Sequence, residues 1–232
     1  MRYIAVISFL LLLVSAQSGF CQSDTSAMVK YTPEYRFNDG IFLNFSQVKE
    51  NKSISASRIR SNTDPYDMNF FKNLVEKDMI VYFDEFGSQT QVKTENIWGF
   101  AQDGKLFINY NGEFNRIPIV GLIGHFISDI TVYENNYDPY NRDYYDSYYN
   151  RNSYYNRGYP RSSKSKEMRQ YLVNFQSGEV LSYGLDEVKV ILMDDPTLYD
   201  EFTDLRRRKQ KDLMFFFIRR YNENHPLYLP VH

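Results

Sequence analysis

Three histidines, His125, His225 and His232, stand far apart in a chain of 232 residues, with no i, i+4 pair and no HExxH pattern. A zinc hydrolase gathers imidazoles on one metal, commonly from one helix face, so these histidines predict no metal site. His125 lies among Gly121, Gly124 and apolar residues and reads as a packed or edge histidine. His225 follows an apolar run that reads as helix, where a cation complements the negative end of the dipole. Three acidic pairs, Asp84-Glu85, Asp186-Glu187 and Asp194-Asp195, are the material of general acid and base catalysis. Neighbours on a strand point to opposite faces, so adjacency alone brings no two of these carboxylates together. A pair drawn from distant parts of the chain stays open. No GxSxG, SxxK, Walker loop or strand-borne GxGxxG occurs, and Gly121-Leu122-Ile123-Gly124 reads as a strand bend. The residues therefore assign no catalytic position, no cofactor and no metal.

Two segments offer binding chemistry instead. Between residues 134 and 166 the chain is almost free of aliphatic residues and carries the pairs Tyr144-Tyr145, Tyr148-Tyr149 and Tyr154-Tyr155. Tyrosine combines a flat apolar face with a hydroxyl at low rotamer cost, and Arg142, Arg151 and Arg157 are spaced to stack on such rings. The segment cannot supply a core and is expected to be a disordered insertion. It is either a tolerated low-complexity expansion or an interaction segment for an envelope surface, a glycan or a protein partner. The second is the basic run Arg206-Arg207-Arg208-Lys209 with Lys211. It reads as a solvated helix face with Asp200, Glu201 and Asp204 as partners one turn earlier, or as a site for an acidic surface or lipid headgroup.

The start of the chain sets the compartment. Arg2 supplies a positive n-region, Tyr3 to Val14 is apolar apart from Ser8, and small residues follow. That order predicts a secretory signal over residues 1–21, cleaved after Ala16 or after Cys21. The apolar run is shorter than the roughly twenty residues a bilayer span needs. Lipidation at Cys21 is disfavoured by the large Phe20 before it. Export places the mature chain in the periplasm or outside the cell. Cys21 is the only cysteine, which removes disulfides and thiol catalysis from the mature domain. A net charge of −2 argues against a nucleic-acid partner.

The elements that would position these residues follow from turn chemistry and periodicity. Residues 22–38 read as a flexible leader. Asp39-Gly40 introduces Ile41, Phe42, Leu43 and Phe45, a buried strand with a helical turn near Ser46 to Asn51. Met79 to Asp84 alternates as a strand, and Thr90 to Thr94 returns it. Ile97-Trp98-Gly99-Phe100, Asp103-Gly104 and Lys105 to Tyr110 form a hairpin, and Asn111-Gly112 repeats the turn before Glu113 to Val120. A strand is expected from Phe126 to Tyr133. After the insertion, Tyr171 to Phe175 and Val180 to Tyr183 form a last hairpin. Helices are expected at Leu185 to Leu192, after the cap Asp195-Pro196, and from Arg206 to Asn224. The fold class is α+β: an antiparallel β-meander, open to closing as a small barrel or half-open sheet, then a C-terminal helical unit. Residues 39–133 and 167–232 are expected to form one domain around the insertion.

Several of these blocks carry a resemblance. Gly40-Ile41-Phe42-Leu43 with Phe45, Ile97-Trp98-Gly99-Phe100 with Asp103-Gly104-Lys105 and Phe107-Ile108-Asn109, Asp195-Pro196 with Leu198-Tyr199 and Glu201-Phe202, and Tyr221-Asn222 with His225-Pro226 resemble an uncharacterised family of exported Bacteroidota proteins. Typical members are tighter between Phe100 and Asp103, so Ala101-Gln102 departs from the pattern. The resemblance implies secretion and a shared fold, and no activity. The expectation is an exported, non-enzymatic structural or binding protein of the cell envelope; the alternative is a hydrolase with a carboxylate site on the meander.

Overall fold

A computed structural model describes residues 27–135 and 162–231. The signal segment, the tyrosines Tyr144, Tyr145, Tyr148, Tyr149, Tyr154 and Tyr155, and His232 lie outside the described residues. Among the described residues the architecture is α+β, with eleven strands in antiparallel sheets and the longer helices at the C-terminal end.

The central sheet holds β2 (Gly40–Phe42), β5 (Gly99–Gln102), β6 (Lys105–Tyr110) and β7 (Glu113–Arg116) in the order β2-β5-β6-β7. Its hairpins form where the dipeptides demand. Asp103 and Gly104 both take positive φ, 54° and 70°, and Asn111 and Gly112 repeat the device at 54° and 80°, which matches the twist of the flanking strands. Gly99 has a different reason: a β-carbon there would collide with the carbonyl oxygen of Phe107 on the neighbouring strand. β7 stops at Arg116, short of the expected Val120, since Pro118 has no N–H for the ladder.

Both faces of this sheet are covered, which explains its unbroken apolar runs. Phe42, Ala101, Leu106 and Ile108 enter one core, while Ile41, Phe100 and partly buried Phe107 enter another. The outer core is closed by β3 (Met79–Phe83), β4 (Gln89–Lys93) and the short helix α2 (Phe70–Val75), which the sequence reading passed over. A shorter helix, α1 (Phe45–Lys49), precedes it, capped by Asn44 accepting from Gln47 N at 3.0 Å.

Across the first core lies a second sheet, β10-β9-β8, made of β8 (Ile123–Asn135), β9 (Ser162–Asn174) and β10 (Val180–Ser182). Phe126, Tyr171 and Val173 face the first core, and Ile123 and Leu172 face a third. That third core is filled by α3 (Leu185–Leu192), α4 (Pro196–Thr203) and α5 (Arg207–Asn224). The chain thus alternates cores and sheets in layers. The two larger sheets approach where Asn115 Nδ2 on β7 donates to Ser128 Oγ on β8 at 3.0 Å. Among the described residues the strands do not close into a barrel.

Two expected boundaries change. The leader assigned to 22–38 is not flexible over its described part. β1 (Met28–Lys30) pairs with β11 (Tyr228–Pro230), Phe37 is buried, and Tyr35 Oη donates to Pro230 O at 2.9 Å while accepting from Asn51 Nδ2 at 3.0 Å. Aromatic residues at 31, 35 and 37 reach a core that only the distant C-terminus completes. The ends of the segment set at 134–166 are paired strand, because β8 runs to Asn135 and β9 begins at Ser162. Interstrand hydrogen bonds satisfy a polar backbone without apolar side chains.

Candidate functional site

The β8–β9 ribbon is the longest paired element. Its register runs without a break from Ile123 opposite Asn174 to Asn135 opposite Ser162. The base of the ribbon is anchored: Phe126 stacks on Tyr171 at 5.5 Å, Tyr171 meets Tyr110 at 4.5 Å, and Ser128 is buried. Past that point Ile130 still touches the first core, whereas Thr131, Met168 and Lys166 are exposed. From Ser128 to Asn135 the arm continues for about 24 Å at the usual rise per residue. Residues 136–161 join its two ends.

A cleft of about 490 Å³ opens beside the C-terminal half of α5. Its walls are Ile119, Phe215, Ile218 and Leu227, and Lys30, Arg219 and Glu223 stand at it. His125 lines it too, but its ring is occupied. Nε2 lies 3.0 Å from Gln170 Oε1, and Tyr183 and Phe215 meet the ring edge-on. Trp98 and Tyr110 pack on the first core and do not line this cleft. Burial, and then the Tyr171 ring beside it, raise the Tyr110 phenol above its ordinary pKa.

One or both members of each acidic pair hold local structure. Asp84 Oδ1 accepts from Phe86 N at 2.9 Å and Ser88 N at 2.7 Å, tying the β3–β4 turn. Glu187 accepts from Ser182 Oγ at 3.0 Å at the start of α3, with Asp186 beside it in the first turn. Asp194 Oδ2 accepts from Tyr221 Oη at 3.4 Å. Asp195 caps α4 through Leu198 N at 3.1 Å and receives Asn224 Nδ2 at 2.8 Å and His225 Nε2 at 3.3 Å. Asn224 first, then the Leu198 amide, hold the Asp195 carboxyl below its ordinary pKa. Desolvation, reinforced by Asp194, pushes the Tyr221 phenol up to about 12. Among the described residues no group of His, Cys, Asp and Glu is arranged to hold a metal ion.

The basic run does not find its expected partners. Glu201 pairs with Arg220 near the far end of α5, and that guanidinium lowers the Glu201 pKa. Arg206, Arg207, Arg208, Lys209 and Lys211 are exposed and make no ion pair within the described residues. No helix among the described residues is long and apolar enough to cross a membrane.

The blocks that carry the resemblance turn out to meet one another. Asp195 binds Asn224 and His225, Phe202 packs edge-on against Phe217 at 4.9 Å, and Phe45 joins Trp98 to Phe175. Asn109 Nδ2 gathers the carbonyls of Thr94, Glu95 and Ile97 at 3.1–3.3 Å. These are contacts that make a fold. No family model, no curated protein and no solved structure matches this chain.

Proposed function

We propose that this chain is an exported, non-enzymatic protein of the cell envelope that binds through the tyrosine-rich segment between residues 136 and 161. The observation that supports this reading is the β8–β9 ribbon, anchored at its base by Phe126 and Tyr171 and continued past the core to the two ends of that segment. An isolated two-stranded ribbon is marginal in water, and this one is anchored at its base by Phe126 and Tyr171. The chemistry of Tyr144, Tyr145, Tyr148, Tyr149, Tyr154 and Tyr155 suits a glycan, an envelope surface or a protein partner. Asp84, one carboxylate of the acidic pair on the meander, is engaged in turn hydrogen bonds, which weighs toward binding.

The test is removal of residues 137–160. The full chain is expected to associate with envelope material freed of phospholipid, and the deletion to lose that association while its thermal midpoint stays within about 5 °C. Association that survives the deletion sinks the reading. Mass measurement of the processed protein, starting at Gln17 or at Gln22, tests export.

A further inference from the structure

We propose that the solvent face of α5 is a docking surface for an anionic phospholipid bilayer, its basic first turns meeting headgroups and Phe215 and Phe216 entering the interface. The first observation is electrostatic. Arg207, Arg208 and Lys209 open an 18-residue helix whose first turn holds no acidic residue and whose N-cap, Arg206, makes no side-chain cap. Cations are disfavoured at that positive end of the helix dipole. With Lys211 they form five cations against Asp212 alone, in a chain of net charge −2. One of their candidate partners, Glu201, is taken by Arg220. A surface shaped only for solubility interleaves the two signs; this one concentrates one sign and leaves it without an ion pair among the described residues.

The second observation is the helix geometry. At 3.6 residues per turn, Arg208, Lys211, Phe215 and Arg219 recur at i, i+3, i+7 and i+11 along one stripe, and Lys209, Phe216 and Arg220 run beside it. Phe215 is 40% exposed and Phe216 52%. The Arg220 guanidinium lies 5.7 Å from the Phe216 ring centre. Exposed phenylalanines beside unpaired cations on one helix face are the composition of an interfacial membrane helix. An acidic protein would account for the cations and not for the rings. Asp212 and Glu223 share the face, and Glu223 is neutralised by Arg219 at 3.2 Å.

The face is presented rigidly. Buried Gln210 donates Nε2 to Phe202 O at 3.0 Å and Thr203 O at 3.2 Å, closing the end of α4. Phe217, Ile218 and Tyr221 fix the opposite side of α5 in the third core. Docking then needs no refolding.

Co-sedimentation with vesicles of phosphatidylcholine, with and without phosphatidylglycerol, tests this on the purified protein as its cell processes it. Binding is expected only with phosphatidylglycerol, and is expected to fall steeply between 0.1 M and 1 M salt as the screening length drops from about 10 Å to about 3 Å. Each cation near such a surface is worth about fivefold, so the combined change Arg206→Gln, Arg207→Gln, Arg208→Gln and Lys209→Gln should weaken binding by on the order of a hundredfold or more. Phe216→Ser, a change at an exposed ring, should weaken it severalfold with helical circular dichroism unchanged. The proposal is independent of the tyrosine segment: vesicle binding should survive deletion of 137–160, and its loss there would overturn the proposal. So would equal binding to neutral vesicles, no binding at low salt, indifference to the charge change or to Phe216→Ser, or capture of poly-glutamate without capture of vesicles.

Discussion

The side-chain amide of Asn222 on α5 meets the backbone of Ile123 from both sides: Oδ1 accepts from Ile123 N and Nδ2 donates to Ile123 O, each at 2.8 Å. One side chain thus supplies both bonds that a neighbouring strand would have made to the first residue of β8. Gly121 leaves room for it, since a β-carbon there would stand 2.7 Å from Asn222 Nδ2. The base of the ribbon and the C-terminal helix are locked through this residue.

Asn222→Ala is therefore expected to cost about 2–4 kcal/mol, because it leaves a donor and an acceptor unpaired beside the buried Ile123. Asn222→Asp keeps the acceptor and turns the donor into a charge facing a carbonyl, so it should be at least as severe. Urea unfolding midpoints decide this; an Asn222→Ala change costing under half a kcal/mol would count against the clamp.

The N-terminal strand is expected to be a working part of the domain. Removing the chain through Lys30 takes away β1 and uncovers Leu229, which is 1% exposed. A loss of about 2 kcal/mol, or roughly 4–8 °C in midpoint, should follow. An unchanged melting curve would restore the flexible leader.

Asp195 should make stability depend on acid. Its folded pKa is lowered, so its ionised form contributes stability above the unfolded carboxylate pKa of about 4, and that contribution is lost as pH falls through the folded value. Asp195→Asn keeps an oxygen to cap Leu198 and removes the charge that attracts His225. The wild-type advantage over this variant should be present at pH 6 and shrink steadily below about pH 4. A gap that does not change with pH would show that the charge contributes nothing.

Tyr221 works at the opposite end of the scale. Its folded pKa is raised to about 12 against an unfolded value near 10. The neutral phenol therefore contributes stability below pH about 10, and that is lost as pH rises toward the folded value. Tyr221→Phe is expected to change stability at pH 7 by about 1 kcal/mol or less, since Asp194 is exposed. It should flatten the decline between pH 10 and 12, followed by unfolding with phenolate absorbance as the readout. An identical alkaline decline in both proteins would assign it elsewhere.

How much was legible in the chain depends on distance along it. Asp103-Gly104 and Asn111-Gly112 announced their turns because the strain of positive φ is settled within two residues. Asp195-Pro196 announced α4 because a cap reaches only three residues on. The helix α2 was missed since six residues with Phe70, Phe71 and Leu74 give too short a period to separate from loop. The barrel option failed where Pro118 ends β7 and a side-chain bond from Asn115 stands in for a ladder. For the basic run, charge spacing suggested ion pairs with the preceding turn, yet Glu201 turned to Arg220, nineteen residues away.

By itself the sequence determined the α+β class, the hairpins turned by Asp103-Gly104 and Asn111-Gly112, the starts of the C-terminal helices and the tyrosine composition of the segment joining β8 to β9, because propensity, capping and turn chemistry act over a few bonds. Tertiary structure decided which partner each polar group took: Asn222 with Ile123, Tyr35 with Pro230 across 195 residues, Glu201 with Arg220. It also decided that the cations opening α5 face solvent in line with Phe215 and Phe216. Such choices depend on which surfaces the layered cores bring together, and burial, unlike a turn, is a property of the whole chain.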